Sequence, residues 1–369
     1  MAGEEVLDRR ALNRALLDRQ LLLRRHRMAP AQALEHLVGM QAQAPGPPYV
    51  GLWARLDDFD PAQLGRLLTD RSAVRTTLMR GTIHLVTAKD ALALRPALQR
   101  YLAQQVWNNM TYGRAHLDGV DLDAVLAAGR ALVEEEPRTM AQLRELLGPR
   151  WPDREPSALA YAVRVLLPVV YVPPRGVWGR SGPAAFTTFE DWLGEPAAGD
   201  GAPDAMVLRY LAAFGPAGPA DAQTWSGLTR LGEVFDRLRP RLRVFRDERG
   251  RQLFDLPDAP RPDPDTPAPV RFLAEFDNLT LSHADRGRVI ADEHRRRIAF
   301  RNGMVPGMLL VDGFVQGMWR VVRERRAATL TVELFEKVTR RQHSEVSAEG
   351  AELLSFVAPD AESHEVVVA

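Results

Sequence analysis

The chain has 369 residues, with 48 basic against 48 acidic side chains, 46% hydrophobic residues and no cysteine. That length and balance describe a soluble globular protein built from several small domains, and the missing thiol excludes disulfide scaffolds, thiolate zinc sites, iron–sulfur clusters and cysteine nucleophiles. Lys89 and Lys337 are the only lysines, so all but two of the 48 basic residues are arginine, a bias that suits phosphate contacts and that a genome rich in G and C also produces.

The opening MAGEEVLDRR is acidic and polar and holds no secretory h-region. The longest run without Asp, Glu, Lys, Arg or His, Leu37 to Ala54, contains two glutamines and three prolines and is no membrane span. A cytoplasmic location is expected. Neither lysine follows a glycine, as a phosphate-binding loop requires. Residues 1 to 120 carry 16 basic and 11 acidic side chains and residues 270 to 345 carry 14 and 10, whereas five acidic residues and no Lys or Arg follow Val346. A neutral chain of this kind can present a basic face.

In chain order, leucines at helical spacing predict a helix over Leu12 to Arg25, and Pro30 opens a second that Gly39 stops. Pro47 to Leu56 and Pro61 to Leu68 give two short helices. The period then changes to two in Val74 to Met79 and Thr82 to Thr87, a hairpin turning at Arg80-Gly81, followed by a helix over Ala88 to Gln105. Residues 122–136, 139–147 and 156–167 predict three helices, with Thr139 as N-cap, and Val169 to Trp178 a hairpin broken by Pro173-Pro174 and Gly176. Residues 204–214, 219–228 and 232–239 predict three more, then a strand pair from Leu242 to Leu256 turning at Arg249-Gly250. Three helices and a wing, three times over, suggest tandem winged-helix units over residues 1–120, 121–195 and 196–260.

A proline-rich linker, Pro257 to Pro269, precedes a β-rich domain over 261–369. Phe272 to Leu281, Arg297 to Phe300, Met308 to Val311, Phe314 to Arg323 and Ala328 to Phe335 read as strands, with a hairpin turn at Asp312-Gly313. They predict a small β-barrel or curled sheet, the acidic tail adding one more strand or lying loose. The fold class is therefore α+β.

The local feature that bears on chemistry is Gln41-Ala42-Gln43, where a helix has stopped and Pro45, Pro47 and Pro48 force an extended chain. Residues two apart on an extended segment project to the same side, so two amides can act together. The bland alternative is that these glutamines cap Gly39 or bond the loop. Arg75 and Arg80 in the first wing, and Arg323, Arg325 and Arg326 between the last strands, are candidate phosphate contacts, against the alternative of a solvated charged surface. His84 alternates with Ile83 and Leu85 and reads as a packed or hairpin-facing side chain. Asp277, Asn278, His283, Asp285 and Arg286 read first as a buried polar network and second as a DNA contact. The eight histidines show no HExxH and no spacing typical of a metal site.

The LVGMQAQAP segment resembles the glutamine motif of the AlkZ/YcaQ family of DNA glycosylases. MRGTIHLV at Met79 to Val86, EFDNLTLSHADRGRVI at Glu275 to Ile290 and LLVDGFVQGMWRV at Leu309 to Val321 resemble the family in the same order, so the likeness covers nearly the whole chain. It implies three winged-helix units and a β-barrel in a C-shaped assembly cradling duplex DNA. It implies excision of bulky N7-alkylguanine or of crosslinks left by antibiotics, with Gln41 and Gln43 as the catalytic pair. The expected DNA contacts, which the resemblance does not itself supply, are Arg75, Arg80, His84, Arg286, Arg323, Arg325 and Arg326. No cofactor or metal is expected, and the partner is double-stranded DNA carrying alkylated guanine, bound by a monomer without a membrane. The competing expectation is a winged-helix transcriptional regulator, which would favour a particular unmodified sequence. A small-molecule hydrolase lacks a nucleophile motif, because no GxSxG surrounds any serine.

Overall fold

The computed structural model describes residues 5–298 and 305–369. Asp8 caps the first helix, Arg9–Arg19, its carboxylate accepting from the Ala11 amide at 2.7 Å. Before it lies a short strand, β1 (Val6–Leu7). The helix Pro30–His36 begins on its proline and ends where Val38 (φ 55°) and Gly39 (φ 85°) reverse the chain. The reversal lays β2 (Met40–Gln41) against the first hairpin, and it needs glycine twice over: the φ is left-handed, and a Cβ at Gly39 would meet Val86 Cγ1 at 2.5 Å.

Helices Pro47–Trp53 and Pro61–Thr69 lead into β3 (Ala73–Thr77) and β4 (Ile83–Thr87), joined by a tight turn at Met79–Gly81. Thr87 then caps the long helix Ala88–Asn108. Leu122–Glu135, Met140–Leu147 and Pro156–Leu166 follow, with the Thr139 hydroxyl accepting from the Gln142 amide as expected. The second wing differs from the expectation. Strand β5 (Val169–Tyr171) pairs not within Val169–Trp178 but with β6 (Phe186–Thr188), because Pro173-Pro174 lacks the N–H groups a return strand needs. β5 also joins β3 through Arg75↔Tyr171, so the first two helical units share one sheet of order β2-β4-β3-β5-β6.

Helices Asp204–Phe214, Pro219–Ser226 and Gly232–Leu238 precede the hairpin β7 (Arg243–Asp247) and β8 (Gln252–Asp255), and β1 pairs parallel with β7. The proline-rich linker is pinned to the first helix: Arg10, Arg14 and Arg19 donate to the carbonyls of Pro264, Thr266 and Pro260 at 2.7, 2.7 and 3.2 Å.

The last sheet contains β9 (Arg271–Leu273), β10 (Gly307–Val311), β11 (Phe314–Glu324), β12 (Ala327–Leu334) and β13 (Ser363–Val368) in the order β13-β12-β11-β10-β9. Asp312-Gly313 turns as expected, with φ 48° and 80°. Among the described residues this sheet stays open and does not close into a barrel. The helix Arg340–Val357 covers it instead, packing Val346, Leu353 and Leu354 on Phe272, Leu309 and Leu330. The acidic tail is thus a helix and then a strand parallel to β12, not a single strand or a loose end. The expected strand Phe272 to Leu281 stops at Leu273 and gives way to a short 3-10 turn, Asn278–Thr280. Arg297 ends the helix Asp292–Arg297 rather than opening a strand, and residues 299–300 lie outside the described residues. No helix among the described residues is long and apolar enough to cross a membrane.

Candidate active site

Gln41 is paired in register with His84 of β4, and the Ala42 amide donates to the Ile83 carbonyl at 2.7 Å. Both glutamine side chains return to the same hairpin. Gln41, 8% exposed, accepts at Oε1 from Arg80 Nη2 at 2.8 Å, and exposed Gln43 accepts at Oε1 from the Ile83 amide at 3.2 Å. A guanidinium only donates, so the Gln41 amide must turn its oxygen to Arg80. Each carbonyl keeps a second lone pair. The bonds to the hairpin are those of the loop-bonding alternative; Gln41 also lines a cleft with Pro47, Pro48, Glu275 and Asn278, whereas Gln43 is exposed and does not line it.

Arg80 is the centre of this arrangement. Its guanidinium donates to the Trp225 carbonyl at 2.7 Å, to Gln41 and to Asn278 Oδ1 at 3.0 Å, and Asn278 Nδ2 in turn donates to the Gly39 carbonyl at 3.3 Å. Burial pushes its pKa down to about 10, and nearby Arg286 pushes the same way. Expected as a phosphate contact, Arg80 instead ties the glutamine strand to two distant parts of the chain. Arg75 likewise turns inward. It is 3% exposed and donates to the Ala42 carbonyl at 2.9 Å, holding the backbone between the two glutamines, and burial followed by Arg175 brings its pKa down to about 10. His84 is fully enclosed, its Nδ1 meeting the Thr82 carbonyl at 3.1 Å, and burial followed by Arg80 pushes it down to about 3. His84 is thus the packed side chain expected from its strand position, and neither this enclosed imidazole nor the enclosed Arg75 offers DNA a surface, which corrects their expectation as DNA contacts.

The segment after β9 is anchored by a buried bidentate pair, Arg55 Nη1 and Nη2 to Asp277 Oδ2 and Oδ1, each at 2.9 Å, while Arg55 Nε donates to the Gln20 carbonyl. His283 meets the Phe214 carbonyl at 3.1 Å and Asp285 accepts from Arg249 and Arg251, so most of this polar stretch is the internal network expected first.

The family described as DNA glycosylase AlkZ-like matches residues 34–356. The chain belongs to that family. It is 25% identical over 345 residues to a protein named interstrand DNA cross-link repair glycosylase from Streptomyces sahachiroi, covering 85% of this chain and 88% of that one. The solved structure of the Streptomyces sahachiroi DNA glycosylase AlkZ has the same fold, with a TM-score of 0.77 at 21% identity over 99% of this chain and 100% of that one. The remaining arginines expected to contact DNA stay outside the core of this AlkZ-like glycosylase. Arg286 is half-buried, has no side-chain partner among the described residues, and is pushed down by burial and by Arg295. At the tip of the β11–β12 hairpin, Arg323 is 3.4 Å from Asp360 and Arg326 is bonded to Glu362, whereas Arg325 (φ 54°) is exposed and unpaired among the described residues.

Glu275 of the cleft was not singled out from the sequence, because the strand expected there gave it no special place. Glu293, His294 and Glu336, scattered in the sequence, offer ligand atoms within 4.8 Å of one another, but both His294 nitrogens already meet partners, the Val315 carbonyl and Glu336.

Proposed function

We propose that the chain hydrolyses the N-glycosidic bond of bulky N7-alkylguanine in duplex DNA, as a monofunctional glycosylase using Gln41 and Gln43 to position the attacking water. The observation that carries this reading is the bonding of both amides to one hairpin, with Gln41 lining a cleft. Alkylation at N7 leaves the guanine cationic, so the base departs neutral without a protonated acid. What the protein must supply is a water held against an oxocarbenium-like sugar, and an amide carbonyl with a spare lone pair can orient it. The Streptomyces relative's name supports crosslinks as substrates. A crosslinked base cannot swing into a tight pocket, so the lesion is approached within the duplex from an open groove rather than by full flipping. The three helix-and-hairpin units serve as tandem winged helices along that groove, with Arg286 and Arg325 on phosphates, and the protein works as a cytoplasmic monomer without cofactor.

The test is incubation with a duplex alkylated at one guanine N7 by a nitrogen mustard, followed by mild alkaline heating. Strand cleavage at the resulting abasic site is expected. Release of no base, together with tight binding to one unmodified sequence, would replace the glycosylase with a regulator.

A further inference from the structure

One acidic side chain lines the Gln41 cleft without a side-chain partner among the described residues. Glu275 sits between β9 and Phe276, whose φ of 59° lies in the left-handed region, so the strand ends and the chain turns at this point. The turn is rigid. Two residues on, Asp277 is clamped by Arg55, and Asn278 joins Arg80 to the Gly39 carbonyl. Glu275 itself is half-buried and makes no side-chain hydrogen bond or ion pair among the described residues. The charged groups around the cleft do not neutralise it. Arg55 and Asp277 satisfy each other, and Arg80 is spent on Gln41, Asn278 and Trp225. Burial alone pushes the Glu275 carboxyl above its ordinary value. A carboxylate withdrawn from water with no donor costs stability, and such groups collect where chemistry uses them.

The glutamine pair leaves a gap in the proposed chemistry that this residue can fill. An amide orients a water but cannot accept its proton at neutral pH. We propose that Glu275 is a further catalytic residue of the excision reaction, taking the proton of the water held by Gln41 as that water attacks the sugar. This rests on the glycosylase reading above. The water oxygen forms a bond to C1′ while the C1′–N9 bond breaks. The electron pair of that bond passes into the purine and neutralises the charge at N7. The released proton goes to the Glu275 carboxylate and from there to solvent, so no further reactant is needed. A carboxyl whose proton affinity is raised by burial is a better base for this step than an ordinary surface carboxylate.

The experiment is single-turnover excision on the nitrogen-mustard N7-guanine duplex from about pH 5 to about pH 8, corrected for spontaneous depurination, for the wild type, Glu275→Gln and Gln41→Ala. The wild-type rate should fall towards acid as the Glu275 carboxyl takes up its proton. Neither enclosed histidine confuses this limb, because His84 and His283 are both pushed down to about 3, and Arg80 keeps its charge with a pKa of about 10. Glu275→Gln should lower the plateau about 100-fold or more and leave a remaining rate with no acidic limb. It should do so without loss of melting temperature at neutral pH. The reason is one of sign: a folded-state pKa above the unfolded one gives stability that is lost as pH rises through it, so the ionised Glu275 is a burden that glutamine removes. Three results would overturn the assignment: a variant rate within about twofold of wild type, a slower variant that keeps the wild-type acidic limb, or a wild-type profile with no acidic limb at all. If the wild type excises and Gln41→Ala does not, any of these sinks Glu275 alone. If the wild type releases no base, the glycosylase reading falls and takes this one with it.

Discussion

The Arg80 guanidinium holds the side-chain carbonyl of Gln41 at 2.8 Å from a residue whose own backbone lies at φ 57°, a conformation that non-glycine residues seldom adopt. The turn between β3 and β4 is thereby aimed back at the strand it supports, and the same guanidinium reaches Trp225 and Asn278. A rigid hydrogen-bonding fork at the junction of three chain segments fixes the amide more tightly than a bond within one loop would.

Replacing Arg80 separates orientation from folding. Arg80→Gly accepts the left-handed φ without strain and so should keep the hairpin better than Arg80→Ala, yet both lose the bond to Gln41. Single-turnover excision should fall about 10- to 100-fold in both, with the glycine variant melting higher than the alanine one. Arg80→Lys keeps a charge but not the fork, and should also be slow. Wild-type excision in Arg80→Gly would show that Gln41 needs no such support.

Acid should weaken the fold through the enclosed histidines. His84 and His283 have folded-state values of about 3, below the ordinary value of 6.5, so the unfolded chain binds more protons between those limits. Depressed values give stability that is present above about pH 6.5 and lost as pH falls towards 3. The melting temperature should therefore decline as the solution is acidified below about pH 6.5. His84→Asn, which cannot take up the proton, should flatten part of that decline. A melting curve independent of pH over this range would contradict the enclosed, neutral state of both rings.

The sequence made the glutamine loop legible because its signals are local: a helix stop at Gly39, prolines after Gln43 and a turn at Arg80-Gly81. Arg75 was misplaced for a non-local reason. Period two puts it opposite Val74 and Thr76, on a face that the first hairpin alone would leave open. β5 of the second unit pairs with β3 at that very residue, and Gly176 packs against its side chain, so every residue of β3 is buried. The C-terminal helix carries its own local signal. Thr339 and Gln342 form a capping box, a start signal that the acidic composition of the following residues masked. Glu275 was not legible, because nothing in residue type announces that Phe276 adopts a left-handed φ and ends the strand.

The last hairpin offers a test of DNA contact at the level of single charges. Arg323 and Arg326 are already matched by Asp360 and Glu362, whereas Arg325 is not matched among the described residues. Arg325→Ala should weaken binding to every duplex sequence alike and reduce the slope of log affinity against log salt by about 1. Arg323→Ala and Arg326→Ala should reduce that slope less, since a guanidinium already bonded to a carboxylate neutralises no phosphate. Equal losses from all three would mean that the acidic tail moves aside when DNA binds. No loss from any would remove this hairpin from the interface.

The two glutamines can be told apart by what anchors them. Gln41 is enclosed and held by a charged fork, whereas Gln43 is exposed and held by one backbone amide. If both orient one water, Gln41→Ala and Gln43→Ala should each lower single-turnover excision about 10- to 1000-fold while affinity for the lesion duplex changes little. Gln41→Ala should also lower the melting temperature, because it leaves an enclosed guanidinium short of one acceptor. Gln43→Ala should not. Gln43→Asp keeps an acceptor at the site and adds a negative charge that can steady the oxocarbenium, so it should retain more activity than Gln43→Ala. Measuring rate and melting temperature on the same three proteins decides the matter. Lower melting temperatures with an unchanged rate per folded molecule would leave both glutamines as braces of the loop and move the chemistry elsewhere.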